Sequence, residues 1–190
     1  MATATSSCTL VASACKSREE RFASIWLWST SDWSVAQTPL EGHKSSVVQL
    51  AFSPNDQFLV SVSRDRQFCV YEKNASDHQF ALVDKLKAHK RIIWSCSWSP
   101  DSRYFATASR DQSFALWTKT GTKWGAAGKP VVLESAVTAV AFAPHHSQEG
   151  EACSYVVAVG VESGAIHLYA VVASGEAVDD YSVRLYNVAL

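Results

Sequence analysis

The chain has 190 residues, of which 47% are hydrophobic, and a formal net charge of −1. This length allows one ordinary domain with a sizeable core, and the near-neutral charge indicates no particular class of partner. No apolar run approaches the roughly 18 residues of a membrane span, which excludes a membrane-spanning helix and predicts a soluble protein.

The first predicted elements lie in residues 1–41 and form an incomplete unit. Strands are predicted in "TLVASACKS", in "SIWLW" and, as an outer strand, in "WSVAQTPLEGH". An irregular segment, "REERFA", separates the first two. The N-terminal apolar stretch has no basic residue before it, so we predict no targeting segment.

Residues 42–87 and 88–133 form two repeats that align without a gap. Each residue of "VQLAFSPNDQFLVSVSRDRQFCVY" has a counterpart 46 residues later in "WSCSWSPDSRYFATASRDQSFALW". The first repeat contains the strand candidates "VVQLAF", "FLVSVS", "FCVY" and "FALVDKLKAH", and the second contains "IIWSCSW", "YFATAS", "SFALW" and "GKPVVLES". Four short strands in roughly 40–45 residues are the spacing of a β-propeller blade.

Residues 134–173 form a third, degenerate unit. Its predicted strands are "SAVTAVAFAP", "YVVAVG" and "AIHLY". In residues 174–190, Asp180 precedes the aromatic Tyr186 by six residues, as the turn Asp does in both repeats. The corresponding turn residue of the degenerate unit is Ser163, only 17 positions earlier, so about 29 residues are missing. We interpret the tail as the remnant of a final blade, shortened by truncation, alternative splicing or a wrong gene model.

The cysteines predict neither a disulfide framework nor a zinc site. They lie at positions 8, 15, 69, 96 and 153, with no pair at CxxC spacing. His145 and His146, with Cys153 nearby, have irregular spacing in a polar loop and are not interpreted as metal ligands. We therefore expect no metal, no cofactor and a reducing compartment.

Two sets of polar and aromatic side chains recur at matching positions of the repeats. They are His43, Ser61, Asp65 and Tyr71 in the first repeat, and His89, Thr107, Asp111 and Trp117 in the second. Each set contains the residue types of a hydrolase triad, with the His as base and the Asp as its orienter. An enzyme does not need two triads on adjacent repeats, whereas each blade must satisfy its buried polar groups. We therefore expect a structural hydrogen-bond network and no catalytic residue.

The repeats resemble WD repeats. "GHKSSVVQLAFSP…SVSRDRQFCVY" and "AHKRIIWSCSWSPDSRYFATASRDQSFALW" follow the family pattern of Gly-His, a strand, Ser-Pro-Asp, a strand, then Asp and Trp-Asp. The departures are Ala88 for the Gly, Tyr71 for the Trp, and Glu72 and Thr118 for the final Asp. The third unit lacks the His and has Val159 at the hydroxyl position, so its network is expected to be missing. The expected fold is all-β, a partial WD-repeat propeller of about four blades with the last one incomplete.

A more specific resemblance covers about residues 8–171. "HKRIIWSCSWSPDSRYFATASRD", "LVASACKS" with "IWLW", "SAVTAVAFAP" and "YVVAVGVESGAIHLY" are similar to the C-terminal propeller of the family of the second Elongator subunit. The resemblance implies a non-catalytic scaffold that supports wobble-uridine modification of tRNA, the chemistry being carried by another subunit. It implies the other Elongator subunits as partners and weak or indirect contact with tRNA, with no membrane and no small-molecule substrate.

The expected compartment is the cytoplasm, and also the nucleus. The alternative function is a WD-repeat adaptor that presents peptides or partners in another assembly, for instance in ubiquitin transfer or signalling. Either function requires a binding surface, and the sequence contains two candidates for one.

The first candidate is a set of cations in two kinds of loop. Lys44, Lys90 and Arg91 lie beside the His residues, and Arg64, Arg66 and Arg110 lie beside the turn Asp residues. In a propeller these loops open on one face, so the sequence predicts a basic rim for an acidic protein surface or an RNA backbone. Protein is favoured over RNA because no aromatic residues interleave for base stacking. The alternative is that each Arg pairs locally with the adjacent Asp.

The second candidate is Trp94, at the start of its predicted strand. An exposed Trp there could anchor an interface. Propeller strands bury both faces, however, so burial in the core is the favoured interpretation.

Overall fold

The computed structural model describes residues 1–15, 23–144, 147–149, 152–173 and 182–186. Within these ranges the chain is built of β-strands and turns, with no helix and hence none that is long and apolar enough to cross a membrane. The strands are β1 (Ala2–Ala4), β2 (Leu10–Ala14), β3 (Ile25–Ser29), β4 (Val47–Phe52), β5 (Phe58–Ser63), β6 (Phe68–Lys73), β7 (Phe80–Leu86), β8 (Ile93–Trp98), β9 (Tyr104–Ser109), β10 (Ser113–Thr120), β11 (Lys123–Ala126), β12 (Val131–Val132), β13 (Val137–Phe142), β14 (Ser147–Glu149), β15 (Ala152–Val161), β16 (Ile166–Ala173) and β17 (Ser182–Tyr186). The predicted all-β class is confirmed.

The strands form four antiparallel sheets in chain order. Blade 1 contains β1–β2–β3 and blade 2 contains β4–β5–β6–β7. Blade 3 contains β8–β9–β10–β11, with β12 also on β10, and blade 4 contains β13–β15–β16–β17, with β14 on β15. Sequential up-and-down sheets of this size are propeller blades, and the expected partial WD-repeat propeller is confirmed.

Successive blades pack face to face because their middle strands are apolar on both sides. Between blades 2 and 3, the Phe68 ring lies edge-on to Phe105 and Trp117, with centroids 5.1 and 4.7 Å apart. Phe68 has no exposed surface. Each internal blade therefore depends on its neighbours for its core.

A β-bulge interrupts the first strand of three blades at the same position. The strand register shifts between Val47 and Gln49, between Ile93 and Ser95, and between Val137 and Ala139. Trp94 therefore lies at the bulge of blade 3. A bulge redirects the side chain of the inserted residue. Trp94 is consequently 36% exposed, and the expectation that it lies in the core is wrong.

The outer strand of blade 3 differs from the predicted one. It begins in β11, which pairs with the end of β10, and continues in β12, which pairs with the start of β10. The predicted segment "GKPVVLES" supplies only β12. Pro130 cannot donate a ladder hydrogen bond, which accounts for the interruption between the two pieces.

The tail and the first unit also differ from the predicted pattern. Strand β17 pairs with β16 from Val172↔Ser182 to Leu168↔Tyr186, so the tail completes blade 4 and the structure has no separate remnant blade among the described residues. The reason is that β16 would otherwise leave an unpaired edge. Asp180, which suggested the remnant, lies outside the described residues. Blade 1 has an inner strand, β1, that the sequence did not predict, and its outer edge is reduced to isolated bridges.

Candidate functional site

His43 joins a hydroxyl and a carboxylate inside blade 2. Its Nε2 lies 2.7 Å from Ser61 Oγ, and its Nδ1 lies 3.0 Å from Asp65 Oδ2. The backbone N–H groups of Lys44 and Gln67 donate to the same carboxylate at 2.9 and 3.0 Å. Asp65 therefore fastens the loop that carries His43 to the turn between β5 and β6.

Blade 3 repeats this arrangement with additional links. His89 Nε2 lies 2.8 Å from Thr107 Oγ1, and Nδ1 lies 3.1 Å from Asp111 Oδ2. Trp117 Nε1 donates to Thr107 Oγ1 at 2.8 Å, and Ser113 Oγ donates to Asp111 Oδ1 at 2.6 Å. A chain of hydrogen bonds thus runs from Trp117 through Thr107 and His89 to Asp111.

The aromatic position makes a different contact in blade 2. The Tyr71 hydroxyl donates to the backbone carbonyl of Glu41 at 3.1 Å. This bond fastens β6 to the loop that precedes His43. The two repeats therefore share their His, hydroxyl and Asp positions but use the aromatic residue in two ways.

Gly42 is required by the close approach of its neighbours. A Cβ at this position would lie 2.9 Å from Cys69 Sγ and 3.1 Å from the Tyr71 hydroxyl, and the φ angle is +154°. In blade 3 the corresponding residue is Ala88, and the residue that corresponds to Cys69 is the smaller Ala115. The second repeat can therefore carry Ala88 in place of glycine because the residue facing it, Ala115, is smaller than Cys69.

Blade 1 contains part of this network, which the sequence reasoning missed. Trp28 Nε1 donates to Ser13 Oγ at 2.8 Å, the same contact that Trp117 makes with Thr107. The two partners are 15 residues apart in blade 1 and 10 apart in blade 3, and this difference hid the correspondence. An alignment that allowed a longer connection would have matched "ASA" and "WLW" with "ATA" and "ALW".

The hydrogen bonds favour a neutral imidazole in blade 3. His89 Nδ1 faces a carboxylate, which only accepts hydrogen bonds, so this nitrogen carries a proton. Because the Thr107 oxygen receives the Trp117 N–H, its own O–H is available to donate to His89 Nε2. Burial lowers the pKa of His89 in spite of the charge of Asp111.

His43 has the opposite preference. Burial on its own would lower the pKa of His43, but the hydrogen bonds to Asp65 and Cys69 outweigh it and raise the pKa to about 9. Burial also opposes ionisation of Asp65, yet hydrogen bonds from His43 and two backbone N–H groups keep the pKa of this carboxyl below its usual value. His43 and Asp65 therefore form an ion pair at neutral pH.

The two histidines predict opposite pH dependences of stability. The pKa of His43 rises on folding from 6.5 to about 9, so its contribution is complete below pH 6.5 and is lost as the pH rises toward 9. The pKa of His89 falls on folding, so its contribution is complete above pH 6.5 and is lost as the pH falls below that value. Urea unfolding at a series of pH values measures both effects. The free energy of unfolding of His43→Gln should change less with pH above 6.5 than that of the parent chain, and the free energy of unfolding of His89→Gln should change less below 6.5. If both variants reduced the pH dependence on the same side of pH 6.5, this assignment would be contradicted.

The hydroxyl and imidazole side chains of both networks are closed to solvent. Ser61 and Thr107 have no exposed surface, and the side chains of His43 and His89 are 0% and 1% exposed. A hydroxyl in this position cannot reach a substrate, so the geometry does not support nucleophilic catalysis. It is the geometry of polar groups that satisfy one another inside a packed blade.

Five of the six predicted rim cations line one groove at the loops of blades 2 and 3. The groove has a volume of about 200 Å³ and is lined by Arg64, Arg66, Lys90, Arg91, Ile92 and Arg110. All five cations are exposed, and no carboxylate among the described residues lines the groove. The sixth cation, Lys44, lies in a different pocket with His43 and Lys85. We call the five cations and Ile92 the basic groove.

The arginines of the basic groove do not pair with the turn Asp residues. Asp65 and Asp111 are occupied by the histidines and by backbone N–H groups. Within the described part of the chain, no ion pair involves any of the five cations. The basic groove therefore presents five positive charges that are not engaged in ion pairs among the described residues.

The basic groove continues into a larger cavity toward blade 4. Lys90, Arg91 and Arg110 also line this open cavity of about 860 Å³, together with Asp111, Gln112, Ser135, Ala136 and Glu162. This cavity is therefore mixed in charge, with three cations and the carboxylates of Asp111 on blade 3 and Glu162 on blade 4.

No group of His, Cys, Asp and Glu that could hold a metal ion occurs in the described ranges. His145 and His146 lie outside the described residues, as does the side chain of Cys153.

Comparison with known proteins gives one family and one group of relatives. The WD40 family (WD domain, G-beta repeat) matches residues 33–72 and 80–118, which include the aligned segments 48–71 and 94–117 of the two repeats. Elongator complex protein 2 of Homo sapiens is 48% identical over 71 residues, covering 37% of this chain and 8% of its own length. The Arabidopsis thaliana protein of the same name is 44% identical over 69 residues.

The similarity to the Saccharomyces cerevisiae Elongator complex protein 2 is longer. It is 36% identical over 169 residues, which cover 84% of this chain and 20% of the yeast protein. The chain therefore spans a fifth or less of the length of these relatives. The WD-repeat sheets, the recurring His-hydroxyl-Asp networks and the similarity along most of the chain agree, and we conclude that the chain belongs to the Elongator complex protein 2 family of WD-repeat proteins.

Proposed function

We propose that this chain belongs to a non-catalytic scaffold subunit of the Elongator complex and supports wobble-uridine modification of tRNA. The observation that carries the proposal is the similarity to the yeast Elongator complex protein 2 over 84% of the chain. The burial of both Ser/Thr-His-Asp sets supports a structural role over a catalytic one. The proposed compartment is the cytoplasm, and also the nucleus.

The scaffold acts through a rigid surface, and the basic groove is the proposed contact for a partner. Five exposed cations without an opposing carboxylate attract an acidic segment, and their fixed positions on neighbouring blades reduce the ordering cost of binding. Exposed Trp94 lies on β8, three residues after Arg91, and is the proposed apolar anchor for this partner. An acidic segment of another Elongator subunit is therefore the proposed occupant, with tRNA contacted weakly or indirectly.

Charge reversal in the basic groove tests this proposal. We expect affinity purification of the tagged chain from its own cells, with mass spectrometry, to recover the other Elongator subunits. The variant Arg64→Glu/Arg110→Glu should reduce that recovery severalfold, because both side chains are exposed and lie in the groove. The matched control Lys123→Glu/Lys129→Glu changes the same number of exposed charges outside the groove and should bind like the parent chain.

Three results would change the assignment. Recovery of a ubiquitin-transfer or signalling assembly in place of Elongator would favour the adaptor function. Full recovery of Elongator by the Arg64→Glu/Arg110→Glu variant would remove the groove from the proposal and leave the scaffold role. Loss of crosslinked RNA without loss of the subunits would assign the groove to nucleic acid.

A further inference from the structure

Blade 4 repeats the loop geometry of the basic groove with the opposite charge. In three blades, the residue that follows β5, β9 or β15 donates its backbone N–H to the loop before the first strand of the same blade. Arg110 donates to Ile92 O at 3.0 Å in blade 3, and Arg64 makes the matching bond in blade 2. In blade 4 the donor is Glu162, which bonds to Ala136 O at 2.8 Å. Glu162 therefore occupies the position that an arginine occupies on blades 2 and 3.

A second loop position shows the same change of sign. The backbone N–H of Leu133 donates to the turn of the preceding blade at 2.8 Å, as that of His89 does at 3.4 Å. This shared bond aligns the two loops. The residue that follows is Glu134 on blade 4, whereas it is Lys90 on blade 3 and Lys44 on blade 2. Both loop positions that carry exposed cations in the two repeats therefore carry exposed carboxylates on blade 4.

The carboxylates near the large cavity differ in what they already contact. Glu134 Oε1 lies 3.1 Å from His167 Nε2. Asp111 is held by the imidazole of its own network and by the backbone N–H of Lys90. Glu162 is exposed and forms no ion pair with any residue that the structure describes. Of the two carboxylates that line the cavity, Glu162 is therefore the one available to a ligand.

The groove and the cavity join these charges into one path across three blades. Arg64 and Arg66 of blade 2 lie at one end, in the basic groove. Three cations of blade 3 line both the groove and the large cavity. Glu162 lines that cavity on its blade 4 side. The path therefore begins with positive charge on blade 2 and ends beside a free carboxylate on blade 4.

The sign of the charge at each end decides which segment fits the path. A uniformly acidic segment or a nucleic-acid backbone is attracted by the blade 2 end and repelled at Glu162, whereas a segment of mixed charge is attracted at both ends. We propose that the partner segment in the basic groove carries acidic residues over blades 2 and 3 and a Lys or Arg that pairs with Glu162. This inference rests on the proposed function, because it assigns a further contact to the same partner. Glu162 then fixes the direction of the segment and disfavours RNA on this path.

The variant Glu162→Arg tests the inference by the sign of its effect. In affinity purification of the tagged chain from its own cells, it should recover the Elongator subunits severalfold less well than the parent chain does. The local backbone accepts this substitution, because the same position carries Arg64 and Arg110 in the other blades. The matched control Asp77→Arg makes the same change of charge in the exposed turn after β6, at the opposite end of that strand from Arg64. The control should bind like the parent chain.

Two results with Glu162→Arg would overturn the inference. Increased recovery would show that the occupant is uniformly acidic or is RNA, since either gains from an added cation. Unchanged recovery would show that the segment does not reach blade 4. Both results differ from a failure of the groove in the proposed function, in which Arg64→Glu/Arg110→Glu would also leave recovery unchanged.

Carbodiimide crosslinking of the purified complex tests the pairing itself. This reagent joins an amine to a carboxylate without a spacer, so Lys90 should be linked to an Asp or Glu of the partner. The linked segment should also contain a Lys or Arg, and replacing that residue with Glu should restore binding to Glu162→Arg. A linked segment without a basic residue, or an exchange of charges that restores no binding, would overturn the inference.

Discussion

Replacing His89 with alanine will lower the free energy of unfolding by about 3 kcal/mol. The substitution removes the shared partner of Thr107 and Asp111, whose hydrogen bonds to the imidazole are 2.8 and 3.1 Å long. Thr107 lies in the buried interior, where an unsatisfied polar group costs far more than at the surface. Urea denaturation followed by Trp fluorescence measures the change.

Two further variants establish that the loss comes from the network. Asp111→Ala should also destabilise the chain, and the double variant should lose much less than the sum, because the two side chains act on one loop. His78→Asn is the control: His78 is exposed, has a positive φ of 59°, and Asn tolerates this conformation. Additive losses in the double variant would show that His89 and Asp111 act independently.

Replacing Phe68 with alanine will lower the free energy of unfolding by about 4 kcal/mol. The ring is fully buried between blades 2 and 3, where it packs edge-on against Phe105 and Trp117. Truncation leaves a cavity that the surrounding aromatic rings can fill only in part. Calorimetry should show a lower unfolding temperature for one transition that includes both blades, because a blade without its neighbour exposes an apolar face.

Leu82→Ala is the control for the Phe68 variant. Leu82 lies on outer strand β7 and is 44% exposed, so its truncation should change stability by less than about 1 kcal/mol. If Phe68→Ala unfolded blade 2 in a separate transition and left blade 3 intact, the blades would be independent units and not parts of one core.

The strands of the two repeats were predictable because their apolar residues alternate and their turns carry Ser-Pro and Asp signals. The repeat register also grouped the loop cations, and five of the six lie in the basic groove. Lys44 lies elsewhere with Lys85, because the preceding blade, and not blade 3, borders its loop. That distinction depends on how blades stack, which a repeat alignment does not contain.

The errors occurred where local pattern and tertiary packing disagree. Trp94 reads as a core residue of a strand, yet a bulge turns it toward solvent. The tail resembles the end of another blade, yet β17 pairs with the vacant edge of β16. The Ser13–Trp28 contact was missed because the longer connection between β2 and β3 shifts the two residues out of the register of the repeats.

The sequence by itself determined the fold class, the two repeats, their polar network residues and the family, because each depends on residue types at fixed spacing along the chain. Tertiary structure alone decided which faces are covered, which cations share a groove and where the last strand pairs. Those properties depend on contacts between residues far apart in sequence, and their energies come from the burial of surfaces that one blade cannot bury by itself.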